Sequence, residues 1–515
     1  MKSDKLINSN PPFKIKEAPV VFPKISGIAF DSRAVLKGDL FIAVKGFSFD
    51  GHKYIAEAEK KGAALIVCQS KQSGIKVPQL VVSDSRRALS FFSALYYGFP
   101  SIGINIIGVT GTNGKTTTCA LIEDILKKSG KKTGIIGTIK LSYPLKDGRI
   151  YEKESLNTTP ESAELQKTIY EMKKNNVTDI VMEVSSHSIA LGRIDDVLFN
   201  TIVYTNLTQD HLDFHKSMEE YASVKSDFII KNALESKKEP PFTAVNIDDQ
   251  TGKLIAEELK TKNFTKLLEY STEKKAFLQA SDLKTNLKGS RGKIKFKGKT
   301  YNFSSHLFGK HNVENILAAV SACITSGISI ENCINLLETS KPVRGRLEQV
   351  ENTKRPYVFI DYAHTPDALE NVLNSLRPLC KKRLISVFGC GGDRDIKKRP
   401  LMAEISARMA EITIITSDNP RTENQDKIIS DIKAGLTNII PEKDFLNITK
   451  NDKNIYFIEK NRQRAIEKAL LISDEKDCIL IAGKGHETYQ IIGRKKFKFD
   501  DREVVLKKVE EIYGN

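Results

Sequence analysis

The sequence predicts an α/β protein of three domains. These are a small N-terminal α/β domain over 1–100, a central domain with a mostly parallel sheet over 101–340, and a C-terminal Rossmann-like domain over 341–515. Three observations predict it. The chain has 515 residues, room for about three domains of ~150 residues each. Short apolar runs alternate with helix-length segments through the second and third blocks, the pattern of parallel strands joined by crossover helices. Several of those runs end in glycine and charged residues, as strands do where an open parallel sheet binds ligands.

In the first block, DLFIAVKGFSFDGHKYIAEAEKKGAALIVC reads as strand, loop, helix and strand. Before Ser26 no element is predicted. The second block opens with a strand through Ile104, Ile106, Ile107 and Val109, followed by a glycine-rich turn and a helix over 117–129. A strand at 133–136, a helix at 162–175, and strands at 179–184, 201–205 and 243–247 follow. The stretch 264–303 carries short alternating runs and Gly turns, which predicts an antiparallel insert or edge. The linker KPVRGR (341–346) begins the third block, with strands at 358–360, 384–388, 412–416 and 479–482.

Composition narrows the function classes. The formal charge is +16, but the lysines are interleaved with acids and no aromatic–basic recognition motif occurs, so no nucleic acid partner is expected. No apolar run approaches the ~20 residues that span a bilayer, and the polar start MKSDKLINSNPPFKIKE lacks an apolar signal core, so no membrane association is expected. Seven scattered cysteines, never in a C-x-x-C pair, predict reduced thiols and a cytoplasmic location.

The run INIIGVTGTNGKTTT carries the most chemistry. Its glycines, Gly108, Gly111 and Gly114, are spaced by three, and Val109 stands where the common phosphate loop has a glycine. A strand, a glycine turn, Lys-Thr and then a helix are what a phosphate cradle requires. Backbone N–H groups over Gly111, Thr112, Asn113, Gly114 and Thr117 would close on phosphate oxygens. Lys115 supplies a point charge, and the Thr116 hydroxyl suits Mg²⁺. The central domain is therefore P-loop ATPase-like, and a nucleoside triphosphate is its expected ligand. Glu183, at the C-terminal end of the strand within the run DIVMEVSSH, suits metal binding or water orientation. In YTNLTQDHLDFH, one of His211 and His215 is expected at the metal site and the other in a structural role; no third zinc ligand sits at the usual spacing. Lys225, alone on a helix, reads as a solvent-exposed charge. In the third block Asp361, His364, Arg394, Asp418, Asn419, Arg421 and Glu487 follow strands and should share one sheet edge, with Gly391, Gly392, Gly483 and Gly485 allowing close backbone approach.

These motifs, in this order, resemble the Mur ligases over nearly the whole chain: DSRAVLKGDLFIAVKG, GVTGTNGKTTT, NTTP, EVSSH, NLTQDHLDFH, the YASVK lysine, GKHNVENILAA, GRLE, DYAHTPDAL, FGCGGDRDIKKRPLM, DNPR and GKGHE. The branch resembled adds the third residue of the peptidoglycan stem peptide. The resemblance implies ATP-dependent amide formation between UDP-N-acetylmuramoyl-L-alanyl-D-glutamate and meso-diaminopimelate through an acyl phosphate. It implies ATP and Mg²⁺ as cofactors, with Lys115, Glu183, His211 and Lys225 catalytic. Thr116, Glu183, His211 and Lys225 would serve the metal, Lys225 after carbamylation. Asn312, Arg346 and Asp361 would hold adenine, phosphate and ribose. Ser32 and Arg33 would meet the uracil end of the sugar nucleotide; Asn157, Thr158, Thr159, Ser185 and Arg193 would meet its diphosphate, sugar and peptide. Arg394, Asp418, Asn419, Pro420, Arg421, Gly483 and Glu487 would form the amino-acid site, Arg421 gripping the second carboxylate that lysine lacks. The three domains would bind uridine, ATP and the amino acid respectively, in a monomer. Alternatives are the same reaction with L-lysine or another diamino acid, a relative acting on folate or another Mur precursor, a P-loop nucleotide switch or kinase, and a catalytically silent binding protein.

Overall fold

The computed structural model describes residues 9–46, 50–155, 157–211, 214–236, 239–350, 356–436, 439–449 and 451–513. Three large sheets organise them. The first holds β1 (Ile15–Glu17), β2 (Gly27–Ala29), β3 (Asp39–Ile42), β4 (Leu65–Cys68) and β5 (Gln79–Val82), in the order β1-β5-β4-β3-β2. β2 to β5 run parallel, and β1 closes the edge antiparallel to β5. β1 lies in the segment for which no element was expected. Its three residues, IKE, carry too little alternation to signal a strand; the exposed edge of β5 supplies the pairing.

The second sheet has eleven strands: β6 (Asn105–Thr110), β7 (Thr133–Ile136), β8 (Lys140–Pro144), β9 (Ile150–Glu154), β10 (Asp179–Glu183), β11 (Thr201–Tyr204), β12 (Phe242–Asn246), β13 (Leu267–Ser271), β14 (Leu278–Asn286), β15 (Gly289–Phe296) and β16 (Lys299–Ser305). Their order is β16-β15-β14-β13-β12-β11-β6-β10-β7-β8-β9. The centre is parallel, with β6 between β11 and β10. Its strands are buried on both faces, which is why they read as continuous apolar runs. Both edges turn antiparallel: the β8–β9 hairpin on one side, β14 to β16 on the other. The expected antiparallel insert is therefore found, while β13 joins β12 in parallel. The helices Lys115–Lys128 and Lys310–Thr325 pack on one face of this sheet through Leu121, Ile122, Ile125, Ile316, Leu317 and Val320.

The third sheet contains β17 (Glu348–Gln349), β18 (Tyr357–Asp361), β19 (Leu384–Phe388), β20 (Ile412–Ile415), β21 (Ile455–Ile458) and β22 (Cys478–Ala482), in the order β17-β18-β22-β19-β20-β21. From β18 to β21 it is parallel. A small hairpin, β23 (Tyr489–Ile492) with β24 (Lys495–Lys498), follows. β21 and this hairpin were not foreseen. All seven cysteines are buried as free thiols. No described helix is long and apolar enough to cross a membrane.

Candidate active site

The loop after β6 leads into the helix Lys115–Lys128 through Gly114, whose φ is +84°. That conformation suits glycine, and any Cβ there would collide with Asn315 Oδ1. No side chain caps this helix, so its first N–H groups face the cleft, where an anion fits them. The cleft, about 690 Å³, lies between the ends of the central strands, the N-terminus of the helix Lys310–Thr325 and the turn after β18. Its walls include Thr112, Asn113, Gly114, Lys115, Thr116, Thr117, Asn157, Thr158, Thr159, Glu183, Ser185, Arg193, His211, Lys225, Asn312, Arg346, Asp361, His364 and Arg394. The structure thus brings together residues scattered over most of the second and third blocks.

Two lysines meet under the loop. Lys115 Nζ donates to Gly111 O (2.9 Å) and Thr112 O (2.7 Å), folded back on its own turn. Lys225 Nζ donates to the same Gly111 O at 3.0 Å. Lys225 is 1% exposed, which corrects the reading of it as a solvated charge: its helix, Met218–Glu235, turns this face inward with Tyr221, Phe228 and Ile229. Burial, reinforced by Lys115, pushes the Lys225 ammonium well below its ordinary value. Lys115 is also pushed down by burial, against the opposing pull of Glu183 and Asp210.

Glu183 is 1% exposed and every oxygen is engaged. Oε2 accepts from Thr116 Oγ1 (3.0 Å) and Thr138 Oγ1 (3.0 Å), and Oε1 from Thr138 N (2.8 Å). Arg346 Nη2 donates to Thr116 Oγ1 at 3.2 Å and its guanidinium stacks 4.7 Å from the Tyr362 ring, so the third block reaches the phosphate loop directly. Hydroxyl and carboxylate oxygens here are hard donors that fit Mg²⁺. Among the described residues no group of three or more His, Cys, Asp or Glu has the geometry of a metal cage. A Mg²⁺ ion would therefore depend on nucleotide phosphates for much of its shell, as that ion commonly does.

His211 lies at the cleft with φ +55°. Burial lowers it to about 4, outweighing the attraction of Asp210, whose Oδ2 is 3.5 Å from Nε2. The imidazole is therefore neutral near pH 7 and free to offer a lone pair. His215 is instead buried against the Tyr221 ring at 5.0 Å. Asp361 accepts from Leu347 N and Ala363 N and shapes the turn after β18. Asn312 donates to Phe308 O at 2.9 Å. Thr159 Oγ1 accepts from Ser185 N (3.2 Å), and Arg193 Nη1 donates to Thr159 O (3.0 Å) while Nη2 pairs with Glu161.

Ser32 and Arg33 stand apart from this cleft. Ser32 Oγ donates to Glu57, and Arg33, 84% exposed, pairs with Asp31. Asp418, Asn419, Pro420, Arg421, Gly483 and Glu487 form a second cluster at the ends of β20 and β22, separate from the cleft walls. Asn419 Nδ2 donates to Glu487 Oε2 (2.8 Å). Arg421 Nη1 donates to Gly392 O (2.9 Å), beside the turn that leads to Arg394. At the centre sits a residue with no role in the sequence reading, Lys484. Its side chain is fully buried, and Nζ donates to Glu487 Oε2 (2.9 Å) and Asn419 Oδ1 (3.2 Å), with Asp418 Oδ1 3.6 Å away. Its one visible signal is its place between Gly483 and Gly485 after an apolar strand. Asp210, Thr138 and Tyr362 at the main cleft were missed as well.

The Mur ligase family catalytic domain matches residues 24–97, the Mur ligase middle domain 109–323, and the Mur ligase glutamate ligase domain 345–485. A UDP-N-acetylmuramoyl-L-alanyl-D-glutamate–2,6-diaminopimelate ligase of Clostridium tetani is 42% identical over 495 residues, 95% of this chain and 96% of that protein. A solved structure of a ligase of the same name superimposes with TM-score 0.68 at 28% identity, covering 100% of this chain and 99% of the other. A MurF ligase from Thermotoga maritima in complex with ADP shares the fold, with TM-score 0.60 at 18% identity over 94% of this chain and 97% of that one.

Proposed function

Because the chain belongs to the Mur ligase family, we propose that it is the ATP-dependent ligase that joins meso-diaminopimelate to the D-glutamyl carboxylate of UDP-N-acetylmuramoyl-L-alanyl-D-glutamate, in peptidoglycan precursor synthesis. The observation that carries this reading is the convergence of Lys115, Thr116, Glu183, Lys225 and Arg346, from both blocks, on one phosphate loop.

A carboxylate resists attack by an amine because its leaving group would be an oxide. Transfer of the γ-phosphoryl group from ATP to the D-glutamyl carboxylate oxygen breaks the β,γ-anhydride bond, giving an acyl phosphate and ADP. The amine then attacks the carbonyl carbon, and phosphate departs from the tetrahedral intermediate. Charge accumulates on phosphoryl oxygens, so fixed cations and N–H groups supply most of the acceleration. In this reading the N-terminus of the helix Lys115–Lys128 cradles the phosphates, and Lys115 swings from its own loop carbonyls onto them. Arg346 neutralises charge on the transferring group. Asn312 and Asp361 seat the nucleoside. Thr116, Glu183, His211 and a carbamylated Lys225 would hold Mg²⁺, which when bound screens phosphate charge. The low basicity of Lys225 suits carbamylation, because only a neutral amine adds CO₂. Thr158, Thr159, Ser185 and Arg193 would meet the muramyl dipeptide, with Asn157 beside them and Ser32 and Arg33 at the uridine end. Arg394 and Arg421 would grip carboxylates of the incoming amino acid, while Asp418, Asn419 and Glu487 meet its ammonium.

Phosphate release tests the proposal. Turnover should require the UDP-muramyl dipeptide and should be fast with meso-diaminopimelate but slow with L-lysine or L-ornithine. ATP turnover that ignores both acceptor substrates would favour a nucleotide switch or kinase instead.

A further inference from the structure

The loop that carries Arg394 and the loop that carries Asn419, Pro420 and Arg421 leave neighbouring parallel strands, β19 and β20. Both are irregular, and two residues on them, Asp393 and Arg421, have φ near +54° and +53°. Loops of this kind hold a geometry only when something fixes them. We infer that Arg399 is a positioning residue for the amino-acid pocket, its buried guanidinium pinning these two loops to one another. The inference rests on the reading of Arg394, Asn419 and Arg421 as that pocket.

Arg399 lies in the first turn of the helix Lys398–Met409, and its side chain is fully buried. It forms a two-pronged pair with Glu423: Nη1 to Oε1 and Nη2 to Oε2, both 2.7 Å. Nη1 also donates to Asp431 Oδ2 (2.7 Å), and Nη2 to Gly391 O (3.3 Å). One planar group therefore touches both loops. Glu423 passes the constraint on, since its Oε2 accepts from Asp393 N at 3.1 Å. The loops are then laced closer to the pocket: Gly392 N donates to Asn419 O (2.9 Å), Arg421 Nη1 to Gly392 O (2.9 Å), and Thr422 to the Asp393 carboxylate (2.9 Å). Gly392 permits this approach, because a Cβ there would collide with Pro420 O. The pair does not switch with pH in the working range, since the Arg399 guanidinium holds the Glu423 carboxyl down at about 2. A lysine could not replace it, because a point charge cannot bridge two carboxylate oxygens and a carbonyl in one plane. Arg399 is not among the cleft walls, so it acts through the loops.

The bland competitor is a core ion pair that stabilises the fold, joining the helix Lys398–Met409 to the helix Gln425–Ala434 through Asp431. The two differ in what they do to KM, which does not depend on how much enzyme is folded. We expect Arg399→Lys and Glu423→Gln each to raise the KM for meso-diaminopimelate about tenfold or more through misplacement of the pocket arginines, with the KM for ATP changed less than about twofold. Asp431→Asn, which cuts only the tie between helices, should lower the melting temperature and leave both KM values near wild type. An unshifted diaminopimelate KM in Glu423→Gln and in any Arg399 variant that folds overturns the inference. If Arg399→Lys does not fold, Glu423→Gln alone decides it. Wild-type enzyme that releases no phosphate with meso-diaminopimelate overturns the functional reading and the pin with it; wild-type turnover with unshifted variants overturns the pin alone.

Discussion

Gly111 O accepts from two amines at once, Lys115 and Lys225. Lys225 is buried and Lys115 half-buried, and burial together with the neighbouring Lys115 charge weakens the hold of Lys225 on its proton. Lys225→Ala should therefore abolish turnover with little loss of fold, because it removes a costly buried amine. If a carbamate is the working form, formate or acetate should restore part of the phosphate release. No recovery at any acid concentration would leave Lys225 a simple amine. Glu314, on the same cleft, makes a pH prediction. Burial pushes its carboxyl up to about 7, from an ordinary value of 4.5. The folded state then binds the proton more tightly than the unfolded one, so stability falls as pH rises through that window. Above it the penalty approaches about 3 kcal/mol at most. Glu314→Gln should raise the melting temperature of the ligand-free protein at pH 8 and much less at pH 5. Equal gains at both would tie the effect to packing.

The unit of β6, loop and the helix Lys115–Lys128 depends on one left-handed residue. Gly114→Ala places a Cβ in a conformation that costs about 1–2 kcal/mol and drives it into Asn315. We expect kcat/KM for ATP to fall at least about tenfold, with far-ultraviolet circular dichroism unchanged. Wild-type kinetics in this variant would mean that the loop tolerates another path. This unit is legible in sequence because its chemistry is local: an apolar strand, three spaced glycines, Lys115 and Thr116 lie within a few residues. Lys225 is not legible from its own helix, since only packing beneath Gly111 distinguishes it from a solvated lysine. Lys484 and Arg399 escape notice for the same reason: their partners lie on other loops. Among the elements, most buried parallel strands of the second and third sheets are foreseen, while β5 and β21 are not. β1 and the β8–β9 hairpin are not, because they depend on the sheet edges they join.

At the scale of the whole molecule, the second and third blocks meet beside the glycine-rich loop after β6. Asp367, at the start of the helix Pro366–Leu376, accepts from Asn113 Nδ2 (3.0 Å) and Thr208 Oγ1 (2.7 Å). A carboxylate from the third block thus holds two residues of the second beside the cleft. Asp367→Ala should reduce kcat/KM for ATP about tenfold, the scale of losing hydrogen bonds to a charged group, while each sheet keeps its structure. An unchanged ATP dependence would show that Asp367 does not set the junction, leaving it to contacts such as Arg346 with Thr116 and Ser375 with His311.

The seven free thiols are shared among all three sheets: Cys68 in the first, Cys119, Cys323 and Cys333 against the second, Cys380, Cys390 and Cys478 in the third. None can meet a reagent until its own layer opens. Alkylation read peptide by peptide by mass spectrometry would give three separate clocks in one tube. ATP and the muramyl dipeptide could then be ranked by which clock each one slows.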